Sequence, residues 1–266
     1  MRLARALVRG KERQRFGLYR VEGLKLVRTA LQAGAPIQYV LYSPGAVERA
    51  EGARLLSELE GKSIPCYPVA EVLWSRLSTT VTPQGFLAIV RMREPELADL
   101  LGGNGFLVAL DGIQDPGNAG TLLRTAAAAG LSGAIALTGT VDLYGDKTVR
   151  AAAGAHFFLP LVSRVRTEAF LRAARVAGLA LVLATPRGGE DYRRFNWRRP
   201  LVLVLGSEAR GASDAVSRAA ADKVTIPLGR VESLNVTVAG ALLLFEAVRQ
   251  REKPPDPSPL DSRMKV

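Results

Sequence analysis

Three stretches of this 266-residue sequence carry polar, glycine and arginine residues that an ordinary connection does not need. The first, 111–126, leaves an apolar strand pattern and enters an alanine- and leucine-rich helical one. Asn118 and Arg124 lie in it six residues apart, almost two helical turns, so both are expected to project toward one side near the helix start. An arginine there can clamp a phosphate bidentately. The plainer alternative is that Asp115 or Asn118 only caps the helix and Arg124 is a solvated surface residue. The second stretch, 205–213, again follows a strand pattern, and Gly206 and Gly211 on either side of Glu208 permit close approach of backbone to a ligand. The third, 226–236, sets Ser233 and Asn235 directly before a long apolar run. A helix cap accounts for one of that pair, not for the whole strand, glycine and cap arrangement.

Several chemistries are excluded. The spacing of Gly206 and Gly211 mimics the start of a phosphate-binding P-loop, but Ala212 stands where that loop requires lysine. No G-x-G-x-x-G follows a strand pattern, which weakens a nicotinamide or flavin reading. With one cysteine, Cys66, and one histidine, His156, there is no internal disulfide and no zinc cluster, so no metal is expected. His156 is a general base by residue type, yet it lies outside all three stretches, and a structural role is expected for it.

The elements that must position these stretches form two alternations of strand and helix. Helical spacing at 24–31 precedes a strand at 37–42, a helix at 47–59, short elements at 64–67 and 69–77, and a strand at 85–90. Charge, Pro95 and the run Gly102-Gly103-Asn104-Gly105 then read as a linker over 93–104, which makes 1–92 a first domain. The second alternation, 105–252, has strands at 106–110, 134–137, 157–162, 179–184 and 201–205, and helices at 117–129, 168–177 and 236–249. The continuous apolar strand at 201–205 implies a sheet covered on both faces. Residues 253–266, with four prolines and several charges, read as a disordered tail.

Net charge is +11, and residues 1–20 hold seven cations against Glu12 alone. That cluster is a candidate phosphate-contacting arm. Its alternatives are a frayed, solvated terminus and the arginine bias of a GC-rich genome. The stretch 187–199 interleaves Tyr192, Phe195 and Trp197 with five arginines, which suits RNA stacking or, equally, a surface loop over core aromatics. No apolar run is long enough to span a membrane and no secretory signal opens the chain, so a cytoplasmic setting is expected.

Taken as a set, Asn118 and Arg124, then Gly206, Glu208 and Gly211, then Pro227, Ser233, Leu234 and Asn235 resemble the motifs of the SpoU, or TrmH-type, RNA 2′-O-ribose methyltransferases of the SPOUT superfamily, in the family's order. The likeness spans 106–250, including the ending Phe245-Glu246-Ala247-Val248-Arg249-Gln250. Ala209 stands where the family usually has glycine, a restriction on the second loop. More loosely, Phe16, Val21-Glu22-Gly23 and Thr82-Pro83-Gln84-Gly85 resemble the family's substrate-binding extension, a small α/β domain of ribosomal-protein type.

The resemblance implies an α/β fold with a mostly parallel sheet and a C-terminal trefoil knot, preceded by that RNA-binding domain. It implies a homodimer with the active site shared between chains, and S-adenosylmethionine held by Leu137, Thr138, Gly139, Leu205, Gly206, Gly211, Ile226 and Leu234. It gives catalysis to Asn118, Arg124, Glu208, Ser233 and Asn235. Arg124 would clamp a phosphate and stabilise the developing alkoxide, because a guanidinium stays protonated and makes a poor base. Glu208 would orient Arg124 or the loops, Ser233 and Asn235 would position the ribose, and Asn118 would fix the first loop and donate to the substrate. The RNA is expected to be ribosomal, with transfer RNA as the alternative. A nucleotide-binding enzyme and a catalytically silent RNA-binding protein are the other classes open on the sequence alone.

Overall fold

The computed structural model describes residues 1–103 and 105–252, so the expectation for the 253–266 tail lies outside the described residues. In the first part, two short helices, α1 (Arg2–Ala6) and α2 (Gly10–Phe16), lead into β1 (Leu18–Glu22) and α3 (Leu24–Gln32). Then come β2 (Ile37–Tyr42), α4 (Pro44–Val47), α5 (Ala50–Gly61), β3 (Cys66–Pro68), α6 (Glu71–Trp74) and β4 (Phe86–Arg91). The sheet order is β1-β4-β2-β3. Arg20 in the middle of Leu18–Glu22 and the basic run before it masked β1 in the sequence, but all five of its residues are buried beside β4.

The segment 93–104 is less of a free linker than its composition implies. It contains α7 (Leu97–Leu101), and its Leu100 and Leu101 are buried in the core below the second sheet. The second part runs β5 (Phe106–Asp111), α8 (Pro116–Ala128), β6 (Gly133–Leu137), α9 (Asp146–Ala151), β7 (Leu161–Val165) and α10 (Thr167–Val176). It continues with β8 (Ala180–Ala184), β9 (Glu190–Asp191), β10 (Leu201–Gly206), α11 (Asp214–Ala219), β11 (Asp222–Thr225) and α12 (Val236–Arg251). The strand expected at 157–162 begins later, at Leu161, because a 3-10 turn over Ala155–Phe157 precedes it.

All described pairings in the second sheet are parallel, in the order β7-β6-β5-β10-β8-β11-β9. Its centre shows why an unbroken apolar run forms a strand here. Leu201, Leu203 and Leu205 face one core cluster with Phe106, Val108 and Leu110, whereas Val202 and Val204 face another with Leu107 and Ala109. Helices α8 and α12 cover the first face with Leu122, Leu123, Leu243 and Leu244. Parallel register sets every strand's carboxyl end along one edge, with Gly206 opposite Asp111.

The stretch 187–199 resolves toward core packing. Trp197 is wholly buried, its indole donates to the Tyr192 carbonyl at 2.7 Å, and Phe195 meets it edge-on. Two of the neighbouring arginines are paired, Arg193 with Asp191 and Arg199 with Asp222. Those rings are therefore not available to stack on RNA bases.

Candidate active site

Three loops at the carboxyl edge enclose a cleft of about 820 Å³. They follow β8 (Ala184 to Arg187), β10 (Leu205 to Gly211) and β11 (Ile226 to Asn235), and α12 closes the back with Val236, Ala239 and Leu243. Site chemistry belongs at this edge of a parallel sheet, where backbone groups leave the ladder with unfilled hydrogen bonds.

The β10 loop is shaped by its glycines. Ser207 and Gly211 exchange backbone hydrogen bonds at 2.9 and 2.8 Å, which folds the loop back on itself. Gly211 turns with φ +70°, in the left-handed region that favours glycine. A Cβ on Gly206 would overlap the Ala212 nitrogen and the Gly211 carbonyl carbon. Buried Asp111, at the end of β5, accepts from the Ser213 backbone at 2.7 Å and pins the far side of the loop.

The first motif is locked to the second. Asp115 caps α8 by accepting from the Asn118 backbone at 2.7 Å, and the Asn118 amide donates to Glu208 Oε1 at 2.5 Å. Glu208 thus orients Asn118, not Arg124, and one donor that was expected to face substrate is committed to the carboxylate. The third motif delivers its polar pair. Ser233 and Asn235 both line the cleft, and Asn235 Oδ1 caps α12 by accepting from the Thr237 backbone at 2.8 Å. The first turn of this 16-residue helix thereby faces the cleft, a favourable end for a carboxylate or phosphate.

Of the expected cofactor residues, Leu205, Gly206, Gly211, Ile226 and Leu234 line the cleft, but Leu137, Thr138 and Gly139 do not. These three close β6, which β5 separates from β10. Leu137 is buried on the opposite sheet face, the Thr138 backbone donates to the Val165 carbonyl at 2.8 Å, and the Gly139 carbonyl accepts from the Gln114 amide. Ala184-Thr185-Pro186-Arg187 line the cleft as well, a stretch that sequence reasoning missed. The signal was present: an apolar parallel strand ending in a proline-glycine turn.

Arg124 is exposed, makes no hydrogen bond or ion pair among the described residues, and is not part of the cleft wall of its own chain. Six residues carry it about 240° round α8 from Asn118, so the two do not share a side as their spacing was taken to imply. Of the five catalytic candidates, one chain brings four together, Asn118 through its bond to Glu208, and leaves Arg124 exposed outside the cleft wall.

His156 is structural. Its Nε2 donates to the Leu143 carbonyl at 2.7 Å, and its ring packs on Tyr19 and Tyr144. Burial lowers its pKa to about 4, against opposing pulls from the Leu143 carbonyl and Asp142. A group depressed in the folded state contributes stability above its unfolded pKa, about 6.5, that is lost as pH falls toward the folded value. The melting temperature should therefore fall between pH 6.5 and 4 more steeply in the parent than in His156→Gln, as differential scanning calorimetry would show. Equal slopes would contradict this role.

Comparison with known proteins agrees with this geometry. Residues 105–245 match the SpoU rRNA Methylase family, and residues 1–88 match the MRM3-like substrate binding domain. The 23S rRNA (guanosine(2553)-2′-O)-methyltransferase of Bacillus subtilis is 32% identical over 236 residues, which cover 88% of this chain and 90% of that one. An AdoMet-bound rRNA methyltransferase from Sinorhizobium meliloti is 35% identical with a TM-score of 0.82, covering 95% of each chain. The SpoU methyltransferase AviRb from Streptomyces viridochromogenes, solved in complex with AdoMet, is 30% identical with a TM-score of 0.81, covering 94% of this chain and 97% of that one.

Proposed function

The chain belongs to the SpoU rRNA methylase family, and from that premise we propose that it methylates a ribose 2′-hydroxyl of 23S ribosomal RNA, using S-adenosylmethionine, in a site completed by a second copy of itself. The observation that carries the reading is the three-loop cleft, with Glu208 tied to Asn118 on one wall and Ser233 and Asn235 on the other.

The cleft fits the cofactor. Its volume lies within the roughly 300–1,000 Å³ of small-molecule pockets. Leu205, Ile226, Leu228 and Leu234 supply apolar walls, and the missing side chain of Gly206 lets the loop's own backbone at Gly211 and Ala212 pack against it and hold the cleft's shape. S-adenosylmethionine supplies a sulfonium methyl for in-line transfer to an oxygen. The chain's own groups align and stabilise. The α12 N-terminus and Arg187 favour the anionic end of a ligand. Ser233 and the Asn235 amide can hold the ribose hydroxyls. A guanidinium at the cleft mouth holds the neighbouring phosphate and stabilises the oxyanion, while that phosphate or water takes the proton.

The guanidinium is Arg124 of the partner copy. In support, α12 carries Val238, Leu242 and Phe245 at 41–49% exposure, an apolar stripe at helical spacing beside α8. A second copy seated there covers the stripe and receives Arg124 from α8. We also assign the trefoil knot to the crossing after β8, because β10 inserts between β5 and β8 while β11 pairs on the other side of β8. The substrate-binding domain at 1–88 favours ribosomal over transfer RNA. No helix among the described residues is long and apolar enough to cross a membrane, and none of their side chains forms a metal cluster. A cytoplasmic setting, where ribosomal RNA is made and assembled, belongs to the same proposal.

Incubating the chain with tritiated S-adenosylmethionine and 23S rRNA from a strain deleted for its gene tests the reading. Label should enter that RNA and not 23S rRNA from the parent strain. Equal labelling of both, or of neither, would contradict it.

A further inference from the structure

The basic N-terminus is neither frayed nor wholly solvated. Residues 2–16 form α1 and α2, and two of the seven cations counted from the sequence point inward. Arg20 is 1% exposed, beside Glu22 and Asp146. Arg13 donates from Nη1 to the carbonyls of Leu7 and Val8 at 2.7 and 2.8 Å, which closes the end of α1. Its other nitrogens, Nε and Nη2, reach Asp142 Oδ2 at 3.2 and 2.6 Å. Arg164 donates to the same oxygen at 3.2 Å. A carboxylate between two guanidiniums, one nearly buried, is a rigid joint.

That joint has a definite address. Asp142 lies in the loop after β6, at the same carboxyl edge as the cofactor cleft. Two strand spacings, about 10 Å, separate β6 from β10 along it. Hydrogen bonds and one packing contact link them. Val141 donates to the Ile113 carbonyl at 2.8 Å, Thr140 Oγ1 accepts from the Gly112 backbone at 3.0 Å, and Gly112 neighbours Ser207 of the cleft loop.

We propose that Arg2, Arg5, Arg9, Lys11 and Arg15, all exposed on α1, α2 and the turn between them, form a rail for the RNA phosphodiester backbone, and that Arg13 and Asp142 hold the rail in register with the catalytic edge. This rests on the methyltransferase reading above and deepens it. The one acid in the segment, Glu12, is half-buried and lies 3.8 Å from Arg15, so the outward face is cationic. Fixed cations at a set reach from the cleft add substrate affinity and alignment with no part in bond making. Arg13 and Asp142 are positioning residues.

The test uses the full chain and an unmodified 23S rRNA transcript. Changing Arg2, Arg5, Arg9 and Lys11 together to glutamine should raise KM roughly tenfold or more, leave kcat near the parent value, and flatten the slope of log affinity against log salt by about 3. Asp142→Asn keeps those cations, so it should raise KM with the parental salt slope. Calorimetric binding of S-adenosylmethionine reports the fold of each variant and should be unchanged. A quadruple variant with parental KM and salt slope would overturn the rail, and parental KM in Asp142→Asn would overturn the joint. If the parent binds the transcript with the steep slope and transfers no methyl group, the functional reading fails and the rail stands.

Discussion

Arg124→Ala should lower kcat/KM by about a thousandfold or more while S-adenosylmethionine binds as before. Removing one preorganised donor from a developing oxyanion typically costs about 10²–10³ in kcat, and losing the clamp on the neighbouring phosphate adds to it. The cofactor cleft is walled by other residues, so calorimetric binding should survive. Arg124→Lys should recover little, because an ammonium cannot grip a phosphate with two parallel bonds. Equal loss of cofactor binding and transfer would remove Arg124 from this role. Its position makes a sharper demand. Since it is exposed and lies outside the wall of its own cleft, and the partner copy is proposed to receive it, chains carrying Arg124→Ala and chains carrying Gly206→Ala should complement when mixed. Half the random dimers are mixed, and each then holds one intact site, so with cofactor kept well below the raised Kd of Gly206→Ala about a quarter of parental activity should return. No recovery would mean that each chain uses its own arginine.

Gly206→Ala is expected to cripple cofactor binding. The added methyl collides with backbone, the Ala212 nitrogen and the Gly211 carbonyl carbon, not with a side chain that could rotate away. The loop cannot easily yield, because Ser207 and Gly211 hold each other and Asp111 holds Ser213. Overpacking of this kind costs about 1–3 kcal/mol, roughly tenfold or more in the cofactor Kd if the loop carries the strain. Circular dichroism should show the parental fold. Gly211→Ala, which meets nothing within 4 Å but sits at φ +70°, should show a smaller loss. Unchanged cofactor affinity in Gly206→Ala would remove the β10 loop from the binding site.

Much of this was legible in the residues. Unbroken apolar runs such as 201–205 marked buried parallel strands, and glycines flanking Glu208 marked a loop that lets a ligand approach. What one chain's periodicity hides is which strands are neighbours. The family resemblance implied a cofactor loop at Leu137-Thr138-Gly139, yet β5 stands between it and the cleft, and only sheet order reveals that the loop after β8 lines the cleft. Charge counting had the same blindness. Arg13 and Arg20 are indistinguishable in sequence from Arg2 or Arg9 but are buried and paired. Helical spacing misled at Arg124, where six residues fall short of two turns by enough to turn the side chain elsewhere.

Nucleoside analysis after the reaction tests the central claim most directly. The 23S transcript, incubated with enzyme and S-adenosylmethionine, is digested to nucleosides and separated by mass. One 2′-O-methylnucleoside per RNA should accumulate, and none with Arg124→Ala. A methyl group found on a base, or no ribose-methylated product at saturating cofactor, would contradict the account.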